Sequence, residues 1–173
     1  FWAIRGGGSN FGIVTEFTVR LASVDQILGG VLVLPATAEV ISGFLRLGPD
    51  APDELTLIGN VMHCPPMPFV APEDIGKPVV AIIVCWTGDA EAGQAALEPF
   101  RALAEPLVDL INPMPYPGLY QFTDVQSGRH AAHIRNMFAD QIGPASINAI
   151  ISGLDRAPLP FSIIQLRPIG GAM

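Results

Sequence analysis

Apolar residues fall along this chain in short runs of two periods, and the runs predict strands alternating with helices. Residues 12–20, GIVTEFTVR, bring β-branched and aromatic side chains into partial alternation, which predicts a strand. A second strand is predicted at 29–34, GGVLVL, ended by Pro35. The period then changes: Val40, Ile41, Phe44, Leu45 and Leu47 share a helical face, with Thr37 as N-cap and Gly48-Pro49 as the stop. Residues 54–64, ELTLIGNVMHC, alternate as a strand, and 79–86, VVAIIVCW, suit a strand buried on both faces or nearly so. Asp89 caps a second helix, DAEAGQAALEPFRALAE, which Pro99 is expected to bend or divide. Residues 106–125 are Pro-punctuated and read as irregular; GPASINAIISGLDRA predicts a third helix. FSIIQLRPIGGAM predicts a last strand that breaks at Gly170-Gly171.

This order, β-β-α-β-β-α-irregular-α-β, predicts an α+β fold with helices covering one face of a largely antiparallel sheet. No repeat of fixed period is evident, and the Pro-rich loop at 65–78 is too short for an interdomain linker. A length of 173 residues suits one domain. With 50% hydrophobic and 14% charged residues the core has ample material, and the surplus can face a missing segment or a partner. No apolar run reaches the ~20 residues of a membrane-spanning helix, so no membrane is expected. A formal net charge of −7 argues against a nucleic-acid surface. Cys64 and Cys85 lie in or beside apolar stretches and read as small buried hydrophobes rather than a disulfide framework or zinc site. Nothing at the start resembles a secretion signal, which proves nothing if the start is truncated.

The stretch FWAIRGGGSNFGIVTEFTVRL, residues 1–21, holds three successive glycines. Such a turn exposes backbone N–H groups and allows φ > 0, which suits a pyrophosphate or a planar cofactor against the main chain. The Walker pattern fails because Ile13 follows Gly12, and the dinucleotide fingerprint fails because Phe11 holds its last glycine position. Taken alone, the glycines fit a tight turn beside a sheet edge better. Read whole, the stretch closely resembles FAD-linked oxidases of the berberine-bridge type, within the vanillyl-alcohol oxidase superfamily. The resemblance rests on Phe1, Trp2, Arg5, Gly6, Gly7, Gly8, Asn10, Phe11, Gly12, Ile13, Val14 and Thr15, with Ser9 where the family often has another Gly. FSIIQLRPIGGAM resembles the family's late substrate-domain strand, and PMPYPGLYQFTD, less specifically, the segment before its pocket strands.

The resemblance implies a FAD-dependent oxidoreductase of which this chain is an internal segment. Residues 1–22 would end the FAD-binding domain, and 23–173 would be an incomplete substrate-binding domain. A small alcohol, sugar or amine would give a hydride to flavin, and oxygen would reoxidise it. Gly7, Gly8, Asn10, Gly12, Ile13 and Val14 would lie along FAD, the alternative for Asn10 being a turn residue that bonds its own backbone. The partners implied are the substrate, the segments before Phe1 and after Met173, and self-association through exposed strand edges. Catalytic side chains often lie beyond Met173 in relatives, and the segment alone is expected to be colourless and inactive.

Other residues carry weaker signals. Tyr116 and Tyr120 can orient a substrate or act as acid or base, or merely anchor a Pro-rich loop. Gln165 and Arg167 alternate along the last strand and share a face that can form a pocket wall. His130 and His133 have helical spacing for a metal pair but no evident third ligand, so a surface or pocket-lining pair fits better. His63 reads as structural, and Asp50, Asp53 and Glu54 as a solvated turn. Two rivals stand beside the flavoenzyme: a non-catalytic small-ligand-binding or interaction domain, and an independent enzyme using the His130/His133 region.

Overall fold

The computed structural model describes residues 2–21, 24, 26–123, 133–157, 159 and 161–170. Among them the strands are β1 (Gln26–Pro35), β2 (Leu55–His63), β3 (Pro78–Trp86), β4 (Val108–Asp109), β5 (Asn112–Pro115) and β6 (Ile164–Leu166). The helices are α1 (Ala38–Leu47), α2 (Ala90–Arg101), the single turn α3 (Tyr120–Thr123) and α4 (Pro144–Asp155). All pairings are antiparallel, in the order β4-β1-β3-β2-β6, and β5 also pairs with β1. The α+β fold is therefore as the periodicities imply.

Local chemistry explains the helix starts. The Thr37 hydroxyl accepts from the Val40 amide at 3.3 Å and the Asp89 carboxylate from the Ala92 amide at 3.0 Å, each satisfying one orphan donor of a first turn. Pro99 does not divide α2; the helix ends two residues later at Arg101, short of the expected extent.

Alternation then sorts the strands into two faces. Leu32 and Leu34 of β1, Leu57 and Val61 of β2, and Val80, Ile82 and Val84 of β3 form one core with Phe44 of α1, Leu97 and Phe100 of α2, and Ile147 and Leu154 of α4. All three long helices thus cover one face. On the other face the β1 half is covered by a smaller cluster, in which Val31, Val33 and Val79 meet Cys64, Val70 and Val108. None of the three long helices lies over the β2/β6 half of that face, and the candidate site lies there.

Two expectations are corrected. Residues 12–20 form no strand: from Gly12 to Leu21 the chain is exposed and pairs with no described strand. Alternation supplies propensity, but a strand exists only where another strand takes its amides and carbonyls. Residues 106–125 are not wholly irregular, since β4 and β5 run in succession along one edge of β1, followed by a 3-10 turn at Tyr116–Leu119 and then α3. Strands of two and four residues are too short for a periodic signal. Between them the Ile111 amide donates to the Asp109 carboxylate at 3.0 Å, which kinks the chain against Gly30, held at φ +150°. No helix among the described residues is long and apolar enough to cross a membrane.

Candidate functional site

Register builds the site. Antiparallel pairing sets Asn60 of β2 directly opposite Gln165 of β6, and Ile58 opposite Ile83 of β3. These residues fall on the face opposite the three long helices. Arg167 lies two residues beyond Gln165 and joins it. Gln165 Nε2 donates to Asn60 Oδ1 at 2.9 Å, and Arg167 Nε donates to Gln165 Oε1 at 2.7 Å. The row lines a cavity of ≈180 Å³ whose remaining walls are Ile58, Ile83, Ile163 and Thr123.

Asn60 is the buried polar residue among those described, at 7% exposure. Burying an amide is costly unless it is hydrogen-bonded, and the Gln165 amide meets that need. No buried side-chain nitrogen or oxygen among the described residues lacks a partner. A larger hollow, ≈280 Å³, lies between the starts of α1 and α4, beside Glu39, Ser42 and Asn148. It has no such bonded polar row, so the sheet-face cavity is the better candidate.

Of the three weak catalytic candidates, Gln165 lines the cavity and the tyrosines do not. Tyr116 and Tyr120 meet edge to face with ring centroids 6.3 Å apart. Thr123, in the same turn as Tyr120, does reach the cavity, and its hydroxyl donates to the Tyr120 carbonyl at 3.3 Å. His130 lies outside the described residues. His133 is exposed and accepts from Arg135 Nε at 3.0 Å. Among the described residues no three of His, Cys, Asp and Glu are grouped to hold a metal ion.

Sequence reasoning found Gln165 and Arg167 but passed over Asn60 and Thr123. An Asn in the middle of an otherwise apolar strand was the available signal for Asn60, because Asn is depleted in strands. Nothing local pointed to Thr123.

Both thiols point to the helix-free face. Burial pushes the Cys85 thiol up, and burial with the nearby Asp74 charge does the same for Cys64. Neither is expected to alkylate with iodoacetamide near neutral pH until the protein is unfolded in urea; rapid native labelling of either contradicts this. The sign for stability is fixed: the unfolded chain loses these protons first. Folding is therefore undisturbed below the ordinary thiol value, about 8.5, and weakens as pH rises through it.

The glycine stretch has its own geometry. Residues Trp2–Ile4 and Gly8–Phe11 are short 3-10 turns. Gly6, Gly8 and Gly12 have φ of +102°, +74° and +145°, and a Cβ on any of them would meet nothing within 4 Å. Their backbone is open to a ligand in a conformation other residues rarely adopt, which fits a cofactor lying against the main chain. Gly7 is different: a Cβ there would collide with the Ala3 carbonyl and the Phe11 ring, so its small size serves the turn itself. Asn10, Gly12, Ile13 and Val14 follow in exposed chain.

No family model matches the chain. Individual proteins do. It is 27% identical over 176 residues to a FAD-linked oxidoreductase of Dictyostelium discoideum, covering 98% of this chain and 36% of that protein. It is 30% identical over 112 residues to (R)-6-hydroxynicotine oxidase of Paenarthrobacter nicotinovorans, covering 64% of this chain and 23% of that protein. A FAD-linked oxidoreductase of Gibberella zeae is 41% identical over 59 residues, 32% of this chain and 12% of that protein. The chain is thus similar to part of several FAD-linked oxidoreductases, spanning about a third of the length of the first and less of the others.

Proposed function

We propose that this chain is part of a FAD-dependent oxidoreductase, in which the half of the sheet left uncovered by the long helices forms the substrate-facing wall. Residues 1–22 are read as the end of the FAD-binding domain and 23–173 as the substrate-binding domain. Gly8, Asn10, Gly12, Ile13 and Val14 would hold FAD through an exposed backbone, with Gly7 shaping the turn, and the exposed side chains of Phe17 and Leu21 would be covered by other parts of the protein or by a second copy. The observation that supports this most is a bonded polar row on an otherwise apolar sheet face that none of the three long helices covers. It joins a likeness to FAD-linked enzymes that runs nearly the length of the chain.

When bound, FAD supplies a two-electron acceptor for a carbon bearing a hydroxyl or amine, with oxygen restoring it. The chain's own side chains do the placing. Ile58, Ile83 and Ile163 exclude water from one side of the substrate, and the Asn60–Gln165–Arg167 row fixes its polar end. Gln165 orients rather than takes a proton, since a carboxamide does not titrate in the working range. Among the described residues the lining holds no carboxylate, histidine or tyrosine to accept a proton. Tyr116 and Tyr120, in the turn that carries Thr123, remain candidates for that role.

The test is an absorbance spectrum of the protein expressed in its full reading frame, beside that of the 173-residue chain. Flavin bands are expected in the first and not in the second. A colourless longer protein that takes up no added FAD sinks the reading. The chain is then a non-catalytic small-ligand-binding or interaction domain.

A further inference from the structure

We propose that the sheet-face cavity takes a substrate that is a small organic acid, a carboxylate on a flat apolar group that also bears the carbon to be oxidised, and that Arg167 is the residue that selects it. This deepens the reading of that face as the substrate wall and rests on it.

The direction of the hydrogen bonds carries the argument. A guanidinium only donates. Arg167 Nε therefore requires the oxygen of Gln165, which turns the Gln165 nitrogen toward β2. That nitrogen in turn requires the oxygen of Asn60, which leaves Asn60 Nδ2 as the outer group at the far end of the row. One arrangement satisfies all three residues. It engages both side-chain carbonyls internally and presents donors at both ends: the Arg167 terminal nitrogens and Asn60 Nδ2. The one hydroxyl in the lining, on Thr123, directs its proton to the Tyr120 carbonyl. A surface of this polarity suits an acceptor-rich ligand and opposes an ammonium.

Charge agrees. Arg167 is the one charged residue among the described lining residues. The ion pairs among the described residues join Lys77 to Asp74 and Arg101 to Glu98 and Asp109, all away from the cavity. In a chain with a formal net charge of −7, a cation thus stands beside three isoleucines with no carboxylate paired to it among the described residues. With Nε tied to Gln165, the guanidinium plane is set and its two terminal nitrogens form a fork that matches a carboxylate. The volume agrees as well. An apolar cavity of about 150 Å³ holds benzene, so ≈180 Å³ leaves room for a ring and a small polar group.

The probes are benzoate, benzyl alcohol and benzylammonium, titrated into the 173-residue chain and followed by the side-chain N–H resonances of Arg167, Gln165 and Asn60. Benzoate is expected to shift all three and to bind roughly tenfold tighter than benzyl alcohol, and benzylammonium to leave them unmoved. Arg167→Gln should abolish the preference of benzoate over benzyl alcohol. Arg167→Lys should restore only part of it, because an ammonium keeps the charge without the fork. Arg167 is exposed and lies beyond β6, so both variants are expected to fold, with backbone spectra as the check. Equal binding of acid and alcohol, no shift at these residues, or a preference that survives Arg167→Gln overturns the proposal. The flavin reading fails on a different result, the spectrum of the longer protein. Benzoate binding by a protein that takes up no FAD leaves an acid-binding site in a chain that is not a flavoenzyme.

Discussion

Phe44→Ala is expected to lower folding stability by about 3–5 kcal/mol, the usual cost of deleting a buried aromatic ring. Phe44 is 0% exposed and sits where α1, α2 and the sheet converge. Its ring meets Phe100 of α2 edge to face, with centroids 6.3 Å apart and planes at 64°. On the sheet side it lies directly over Gly59 of β2, where a Cβ would come within 2.8 Å of it. Three elements therefore lose a shared contact at once, and a rigid sheet beneath limits collapse into the space left. Since a domain of this size is usually stable by about 5–15 kcal/mol, the loss takes a large part of the total. Denaturation in urea measures it; a loss under about 1 kcal/mol would show that the helices repack around the hole. Phe44→Leu should fall between the two, because it keeps most of the volume.

The second large effect is expected at Gly30. Its φ of +150° disfavours any L side chain, and a Cβ would collide with the Leu110 carbonyl oxygen. The same Cβ would lie 2.8 Å from the Leu110 carbonyl carbon and 2.9 Å from Ile111 Cα. These are backbone atoms, so no rotamer change relieves the clash. Gly30→Ala should cost roughly 1–3 kcal/mol for overpacking, with backbone strain of similar size added. The damage should be local first. Amide exchange is expected to quicken in β4 and β5 before the β1/β3 ladder changes, and Thr123, carried by the turn that follows β5, should lose its place at the cavity. Wild-type stability with an intact β5 ladder would contradict the reading of Gly30 as the crossing point.

Much of the fold was legible because the signals that set it are local. Thr37 and Asp89 are three residues from the amides they cap, so their roles can be read within one helical turn. The alternation of Leu57, Gly59 and Val61 against Ile58, Asn60 and Met62 sorts β2 into two faces before any partner is known. By the same rule Gln165 and Arg167 could be placed together. The rule fails at residues 12–20, where a strand-like pattern has no strand beside it. It also fails at 108–115, where pairing with β1 makes short strands from a stretch with no pattern.

What the sequence determined by itself was therefore the three long helices, the long strands and the face each of their side chains occupies, because caps and periods act over a few residues. Tertiary structure decided which faces meet and in what register. Asn60 and Gln165 are 105 residues apart along the chain, and neither residue's neighbours favour the other. Only the β2/β6 pairing sets them opposite each other, and only then does Arg167 acquire the partner that orients it. A site made of long-range pairs is invisible to local rules, because its energy exists only once the sheet has closed.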